Sequence, residues 1–356
     1  MNTSVNEASY RWPAEWEKQD SVWFSWPANK LTWQNYQKAA IEAYQYFLPL
    51  VLKHQDVHLL VPDNTVAQDI LNFIGSTAYT LHTHCLPYND SWIRDYGGLS
   101  VFPQSASVNN SQKNSSAPQT PVKPHILNFG YNAWGGKYPP WDADNLVPVH
   151  MANILGVESH TIPLILEGGS VDVNGQGLGL TTASCLLNNN RNPGILKYQI
   201  EDGLGQLLGV KSWIWLSGGI EGDDTDGHID QLARFTDPQT VVYAQELNTN
   251  RPNFHSLSQN KLDLQRAATQ HLLNLVPLPM PTPYELGSFS PPACYLNFLI
   301  LNQALLVPQF GVPEDDLVLK ILESLFPRHT LYPLYSRELV FGQGGIHCLS
   351  QCSFAG

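Results

Sequence analysis

Residues 198–230 read YQIEDGLGQLLGVKSWIWLSGGIEGDDTDGHID. The stretch divides into three parts. From Tyr198 to Gly209, the apolar residues Ile200, Leu204, Leu207 and Leu208 recur at helical spacing. VKSWIWL, 210–216, is short and rich in β-branched and aromatic residues, which predicts a strand. Residues 217–230 form a polar, glycine-bearing loop that carries Asp223, Asp224, His228 and Asp230. The order is therefore helix, strand, polar loop.

The same order recurs three times. NTVAQDILNFIG (64–75) leads to AYTLHTHCLP (78–87) and YNDSWIRDYGG (88–98). DNLVPVHMANILG (144–156) leads to HTIPLIL (160–166) and EGGS (167–170). DDLVLKILESLF (315–326) leads to HTLYPLYSRELVF (329–341) and GQGGIHC (342–348). Hairpins often follow the loops; VDVNGQGLGLTT (171–182) predicts a type I′ turn at Asn174-Gly175. The class is α/β. If each unit is one module, equivalent loops leave the same end, and a ring of modules aims them at one central site. Identity between the units is slight, so the argument rests on the order of elements.

The chain of 356 residues is 43% hydrophobic, enough for a substantial core. Only 14% is charged, and the net charge is −12. That balance argues against nucleic acid, whose phosphates need a basic surface, and suits small cations. The five cysteines are scattered without a CxxC pair, so neither a disulfide framework nor a zinc ribbon is indicated. No basic, apolar leader opens the chain and no apolar run is long enough to span a bilayer, so a cytoplasmic setting is expected. Residues 1–356 are read as one catalytic domain. The Ser/Asn/Gln/Pro-rich segment at about 103–124 is read as a surface loop between the hairpin strands GGLSVF and HILNF.

Side by side, the loops carry Asp90, Trp92, Arg94 and Asp95; Glu167; Asp223, Asp224, His228 and Asp230; and Cys348 behind a glycine turn. A thiol with a separate imidazole suits a nucleophile and an acid/base. So many carboxylates would discourage thiolate formation unless the substrate is itself a cation; a guanidinium pairs bidentately with carboxylates. The bland alternatives are a buried thiol at Cys348, a local hydrogen bond for His228 and Asp230, a turn at Glu167, and a cap and surface ion pair for Asp90, Asp95 and Arg94. His82, His84 and Cys85 invite a metal, but no further ligand cluster is evident. Trp134 has packing as its bland reading.

The segments PAEWE, NDSWIRD, YNAWGG, EGGS, LLNNNRNP, DTDGHID, CYLNFLI, VPQFG and GGIHC run in the order found in agmatine deiminases. The chain resembles that family, part of the guanidino-modifying enzymes related to arginine deiminase and bacterial peptidylarginine deiminases. The resemblance implies a five-bladed α/β propeller, or pentein, of ββαβ modules with pseudo-five-fold symmetry. It implies a hydrolase of polyamine biosynthesis that converts agmatine to N-carbamoylputrescine and ammonia through a covalent thiouronium, without metal or cofactor. By motif, Cys348 resembles the nucleophile and His228 the acid/base. Glu167, Asp95 and Asp230 resemble the carboxylates that hold the guanidinium and tune the histidine. Trp92, Asp90, Asp224 and Trp134 fall in the substrate-binding set, with Asp224 the candidate for the substrate amine. Expected partners are a small cationic guanidino substrate, no nucleic acid and no membrane, with homo-oligomerisation left open.

The chain departs from the family pattern at Gln343 and Gly345 in GQGGIHC, at Asp226 where Asn is common, and at Gly98 where Pro is common. These departures leave substrate identity open. The rivals are a deiminase of free or peptide-linked arginine, a metal-dependent hydrolase using His228 and Asp230, and a non-catalytic guanidine-binding protein.

Overall fold

The computed structural model describes residues 10–104 and 122–355. Most of the low-complexity segment therefore lies outside the described residues. The strands flanking it, Leu99–Pro103 and His125–Gly130, pair antiparallel, as a hairpin excursion requires.

Five separate sheets form five blades. In each, an antiparallel pair is followed by a helix and then a strand parallel to the second member. The third blade is the simplest: Val171–Val173 pairs with Leu178–Thr182, helix Lys197–Leu208 crosses over, and Ser212–Leu216 returns in parallel. The second blade repeats this with Leu99–Pro103, His125–Gly130, helix Val147–Leu155 and Ser159–Ile165, and Tyr10–Arg11 adds an edge. The fourth uses Ala233–Asp237, Thr240–Gln245, helix Asn253–His271 and Asn274–Pro279. The fifth uses Leu299–Leu301, Ala304–Gln309, helix Asp315–Leu325 and Thr330–Tyr335. In the first blade, Ser350–Phe354 pairs with Gln19–Ser25. Helix Gln37–Val51 then leads to Asp56–Val61, and helix Asn64–Ile74 to Leu81–Cys85. Each blade packs on the next and the fifth packs on the first, which closes the propeller.

The helices form where apolar spacing and caps agree. Asp63 accepts from the Thr65 and Val66 amides to start Asn64–Ile74. Gly156 and Gly209 stop their helices in the left-handed conformation. Ile200, Leu204 and Leu208 lie one turn apart and are buried, so they are the face laid on the sheet. Leu257, Leu264 and Ala267 do the same in the fourth blade. That helix is otherwise polar, which is why sequence reading found four units and not the fifth.

The 174–177 connection is not a type I′ turn. That type needs positive φ at both central residues, and here only Gly175 and Gly177 have it (67° and 106°). The Asn174 side chain instead accepts from the Gln176 and Leu178 amides. The 133–136 segment of YNAWGG is a left-handed turn: Ala133, Trp134, Gly135 and Gly136 have φ of 49°, 56°, 90° and 81°. Left-handed backbone costs a non-glycine residue about 1–2 kcal/mol, so the surroundings must hold Trp134 there.

Candidate active site

The loops leaving the blades meet above a cavity of about 1420 Å³. Its lining includes Asp90, Trp92, Asp95, Trp134, Asp224 and Cys348. His228, Glu167 and Asp230 lie just behind that wall and are fully buried. All nine residues singled out in the sequence therefore belong to one cluster.

Cys348 is presented by a turn whose glycines make room for aromatic and amide neighbours. A Cβ on Gly344 would sit 2.6 Å from the Trp92 ring, and one on Gly345 would sit 2.6 Å from Asn297 Oδ1. Asn297 binds the thiol from the other side: its Nδ2 donates to Cys348 Sγ at 3.0 Å and to Asp230 Oδ2 at 3.1 Å. Its Oδ1 accepts from the backbone amides of His347 and Cys348. Sγ also lies 3.4 Å from Asp230 Oδ2. Burial, then Asp230 and Asp95, push the thiol well above its ordinary pKa.

Glycine also decides the middle of the cluster. A Cβ on Gly169 would lie 2.7 Å from His228 Nδ1, 2.9 Å from Asp95 Oδ1 and 3.1 Å from Asp230 Oδ2. Three ionisable side chains thus converge on one bare backbone carbon. Asp95 accepts from Trp134 Nε1 and from the Gly169 amide, and burial followed by Asp230 and Glu167 raises its pKa well above normal. Glu167 Oε1 takes the Arg191 Nε hydrogen bond at 2.7 Å, while Oε2 has no partner and lies 4.0 Å from His228 Nε2. Both His228 nitrogens and Asp230 Oδ1 are likewise buried without hydrogen-bond partners. Burial pushes His228 down to about 3, so its imidazole is neutral at neutral pH. Burial alone would raise Asp230; the hydrogen bond and charge of His347, helped by His228 and Arg234, hold it below the usual carboxylate range.

Unpartnered buried polar atoms are costly, and four of them on three neighbouring residues behind the cavity wall suit a site built for a polar ligand. Two of the four are carboxylate oxygens, beside a thiol. This donor set can hold a planar cation and offer sulfur to its central carbon.

Comparison with known proteins agrees with this geometry. Residues 11–353 match the family described as Porphyromonas-type peptidyl-arginine deiminase. The chain belongs to that deiminase family. A Legionella pneumophila protein provisionally named agmatine deiminase is 31% identical, over 99% of this chain and 97% of its own. The C. jejuni agmatine deiminase, solved as a Cys-to-Ser variant with substrate bound, superposes with a TM-score of 0.87 at 29% identity, covering 100% of this chain and 99% of that one. The Enterococcus faecalis agmatine deiminase gives 0.87 at 27% identity, with 100% of both chains covered.

Several residues of this deiminase-family site were not singled out in the sequence. Glu15 is the hub beneath it: Oε2 pairs with Arg234 at 2.9 Å, Arg94 at 3.4 Å and His347 Nε2 at 2.7 Å. Burial would raise its pKa, but Arg234, His347 and Arg94 together hold it well below normal. Arg94 is therefore a buried strut between Glu15 and the His347 carbonyl, not half of a surface pair. Arg191, fully buried, pairs with Glu167 and Asp226. The available signal was a polar residue inside an apolar run, as at Asn297 in CYLNFLI and Arg234 in LARF.

The departures from the family pattern have local accounts. Asp226 sits at φ 69°, a conformation Asn and Asp tolerate, and its carboxylate takes Lys137, Asn190 and Arg191. Gln343, also at positive φ, donates to the Tyr138 hydroxyl at the cavity mouth. Gly98 does not line the cavity, and a Cβ there would stand 2.2 Å from Ile126 Cγ2.

The metal readings fare unevenly. His82 and His84 share a strand face and stack with His58, whereas Cys85 faces Asn64. His228 comes within ligand spacing of Glu167 and Cys185 rather than Asp230. There the Arg191 guanidinium holds Glu167 Oε1, and burial raises the Cys185 thiol well above its ordinary value.

Proposed function

We propose that the chain is a guanidine hydrolase that converts agmatine to N-carbamoylputrescine and ammonia, with residues 1–356 acting as one catalytic domain. The observation that carries this reading is Cys348 at the cavity wall with Asp230, His228 and Glu167 buried behind it, each holding an unpartnered polar atom. A bound guanidinium would satisfy the two carboxylate oxygens with charge-assisted hydrogen bonds. It would also offset the charges of Asp230 and Asp95 that hold the thiol protonated, so that the substrate promotes its own nucleophile.

Sγ then attacks the guanidinium carbon and the thiol proton passes to neutral His228. The imidazolium, beside Glu167 and Asp95, returns a proton to the departing nitrogen; the C–N bond breaks and ammonia leaves. Water adds to the resulting thiouronium with His228 taking its proton, and cleavage of the C–S bond releases the ureido product and the thiolate. Trp92 and Trp134 wall the planar group.

Agmatine is favoured over arginine by charge. Among the described residues, the cavity lining carries Asp90, Asp95, Asp144 and Asp224, and Lys137 is its sole Lys or Arg. Lys137 is already engaged by the Asp226 carboxylate and the Asp224 carbonyl. A second cation is welcome at this mouth and a carboxylate is not. Ammonia release from agmatine, arginine and an arginine peptide tests the choice. Cys348→Ser should abolish turnover while the protein stays folded; activity near the parent level would overturn the mechanism.

A further inference from the structure

The distal rim of the second blade holds a group of side chains that the active site does not use. His125 opens strand His125–Gly130, and His160 lies at the start of the parallel strand Ser159–Ile165. Glu158 immediately precedes that strand, and its carbonyl accepts the Ile126 amide, which draws the two strand starts together. His125 Nδ1, His160 Nε2 and Glu158 Oε2 all lie within 4.8 Å of one another. From the geometry of these three atoms we propose a zinc-type divalent metal site of His125, Glu158 and His160, outside the catalytic pocket.

The distances support it. His125 Nδ1 is 2.9 Å from His160 Nε2 and 3.9 Å from Glu158 Oε2, and His160 Nε2 is 3.6 Å from that oxygen. The point equidistant from three atoms so spaced lies about 2.0 Å from each, the bond length of zinc to imidazole nitrogen and carboxylate oxygen. An ion at that point lies at bonding distance from all three atoms, and a turn of the two rings away from their mutual contact directs their lone pairs at it. Two imidazoles and one carboxylate are borderline donors, suited to Zn²⁺, Co²⁺ or Cu²⁺ rather than Mg²⁺ or Ca²⁺.

Without an ion, the two imidazoles share a proton across the 2.9 Å contact; moving that proton to a far ring nitrogen frees both lone pairs. The Tyr10 ring packs against both imidazoles at 5.7 and 5.9 Å and covers one side. Glu158 is 72% exposed, so the remaining coordination position opens to water.

The site is separate from the reaction. None of the three residues lines the catalytic cavity. Strand Ser159–Ile165 carries the chain from His160 to the opposite rim, roughly 17 Å away at the rise of a parallel strand. An ion here would clip two neighbouring strands of one blade and stabilise the folded chain by mass action.

The test is a Co²⁺ and Zn²⁺ titration of the full chain carrying Cys85→Ser and Cys348→Ser, which removes the two thiols lining the cavity, the exposed Cys85 among them. The expected result is one ion per chain, with the visible absorption of tetrahedral Co²⁺ and no thiolate charge-transfer band. His160→Gln, His125→Ala and Glu158→Gln should each weaken binding at least about tenfold. The thermal midpoint should rise with Zn²⁺ in the parent and not in His160→Gln. Unchanged affinity in His160→Gln, thiolate ligation of Co²⁺, or no uptake at several-fold molar excess would overturn the proposal. If one histidine variant fails to fold, Glu158→Gln decides, because that side chain is exposed and contributes no packing.

Discussion

Replacing Asn297 by Ala should damage catalysis at least as much as stability. Asn297 is 3% exposed and makes four contacts around Cys348: Nδ2 to the thiol and to Asp230, and Oδ1 from two backbone amides. Truncation orphans the Cys348 amide; the His347 amide keeps a second acceptor in the Asn297 backbone carbonyl at 3.3 Å. One buried unsatisfied donor costs about 1–3 kcal/mol of stability. The lost bond to sulfur matters more in the reaction, because a hydrogen bond to a charged group is worth about 1.5–3 kcal/mol. If that donor stabilises the thiolate, kcat/KM for agmatine should fall about tenfold to a hundredfold. Iodoacetamide alkylation of Cys348 as a function of pH reads the same quantity directly, and its midpoint should rise by about 1–2 units. Asn297→Asp keeps the acceptor but sets a second buried carboxyl beside Asp230, so it should share the catalytic loss and gain no stability over Asn297→Ala. Turnover within twofold of the parent in Asn297→Ala, with an unmoved alkylation profile, would refute the reasoning.

Three further outcomes are expected. Gly169→Ala places a methyl group 2.7 Å from His228 Nδ1, and should reduce kcat more than a hundredfold in a folded protein; kcat together with the thermal midpoint checks both halves. Asp224→Asn should raise KM for agmatine more than it lowers kcat and leave an amine-free guanidine almost unaffected, which steady-state kinetics on both substrates will show. His58, pushed down to about 3 by burial and then by His84 and His82, takes its proton in the unfolded chain first. The stability it contributes is therefore complete above its ordinary value near 6.5 and is lost as pH falls towards 3. Unfolding free energies from urea titrations of His58→Gln and the parent across that range should diverge by about 1.4 kcal/mol per pH unit; parallel curves would contradict the assignment.

The modular order of elements was legible even where the units share no residues, whereas the five-bladed propeller itself came from the family resemblance. Helices at 64–74, 197–208 and 315–325 were readable from apolar spacing to within a residue or so. The fourth blade was not, since helix Asn253–His271 buries only a few residues along a polar surface. The ionisable residues beside glycine were legible because chemistry in a loop has few structural excuses. Glu15 was hidden for the opposite reason. Its role exists only where Arg94, Arg234 and His347 arrive from distant parts of the chain, and nothing local to PAEWE announces them. The turn at Asn174-Gly175 misled because the dipeptide can also start an Asx turn, and the four-residue connection selects that alternative.

The strand that follows Cys348 completes the first blade by pairing Ser350 with Phe24 and Cys352 with Val22. The residue nominated as nucleophile is thus carried on the last piece of the ring to be laid against the first. Contacts so distant in sequence form slowly, because a long loop must close before they are rewarded. Enzymatic activity should consequently be the latest signal to return during refolding, behind circular dichroism and tryptophan fluorescence. A chain caught with four blades assembled would hold the acidic pocket walls and yet be chemically inert. Ring closure in this architecture is also the act that arms the site.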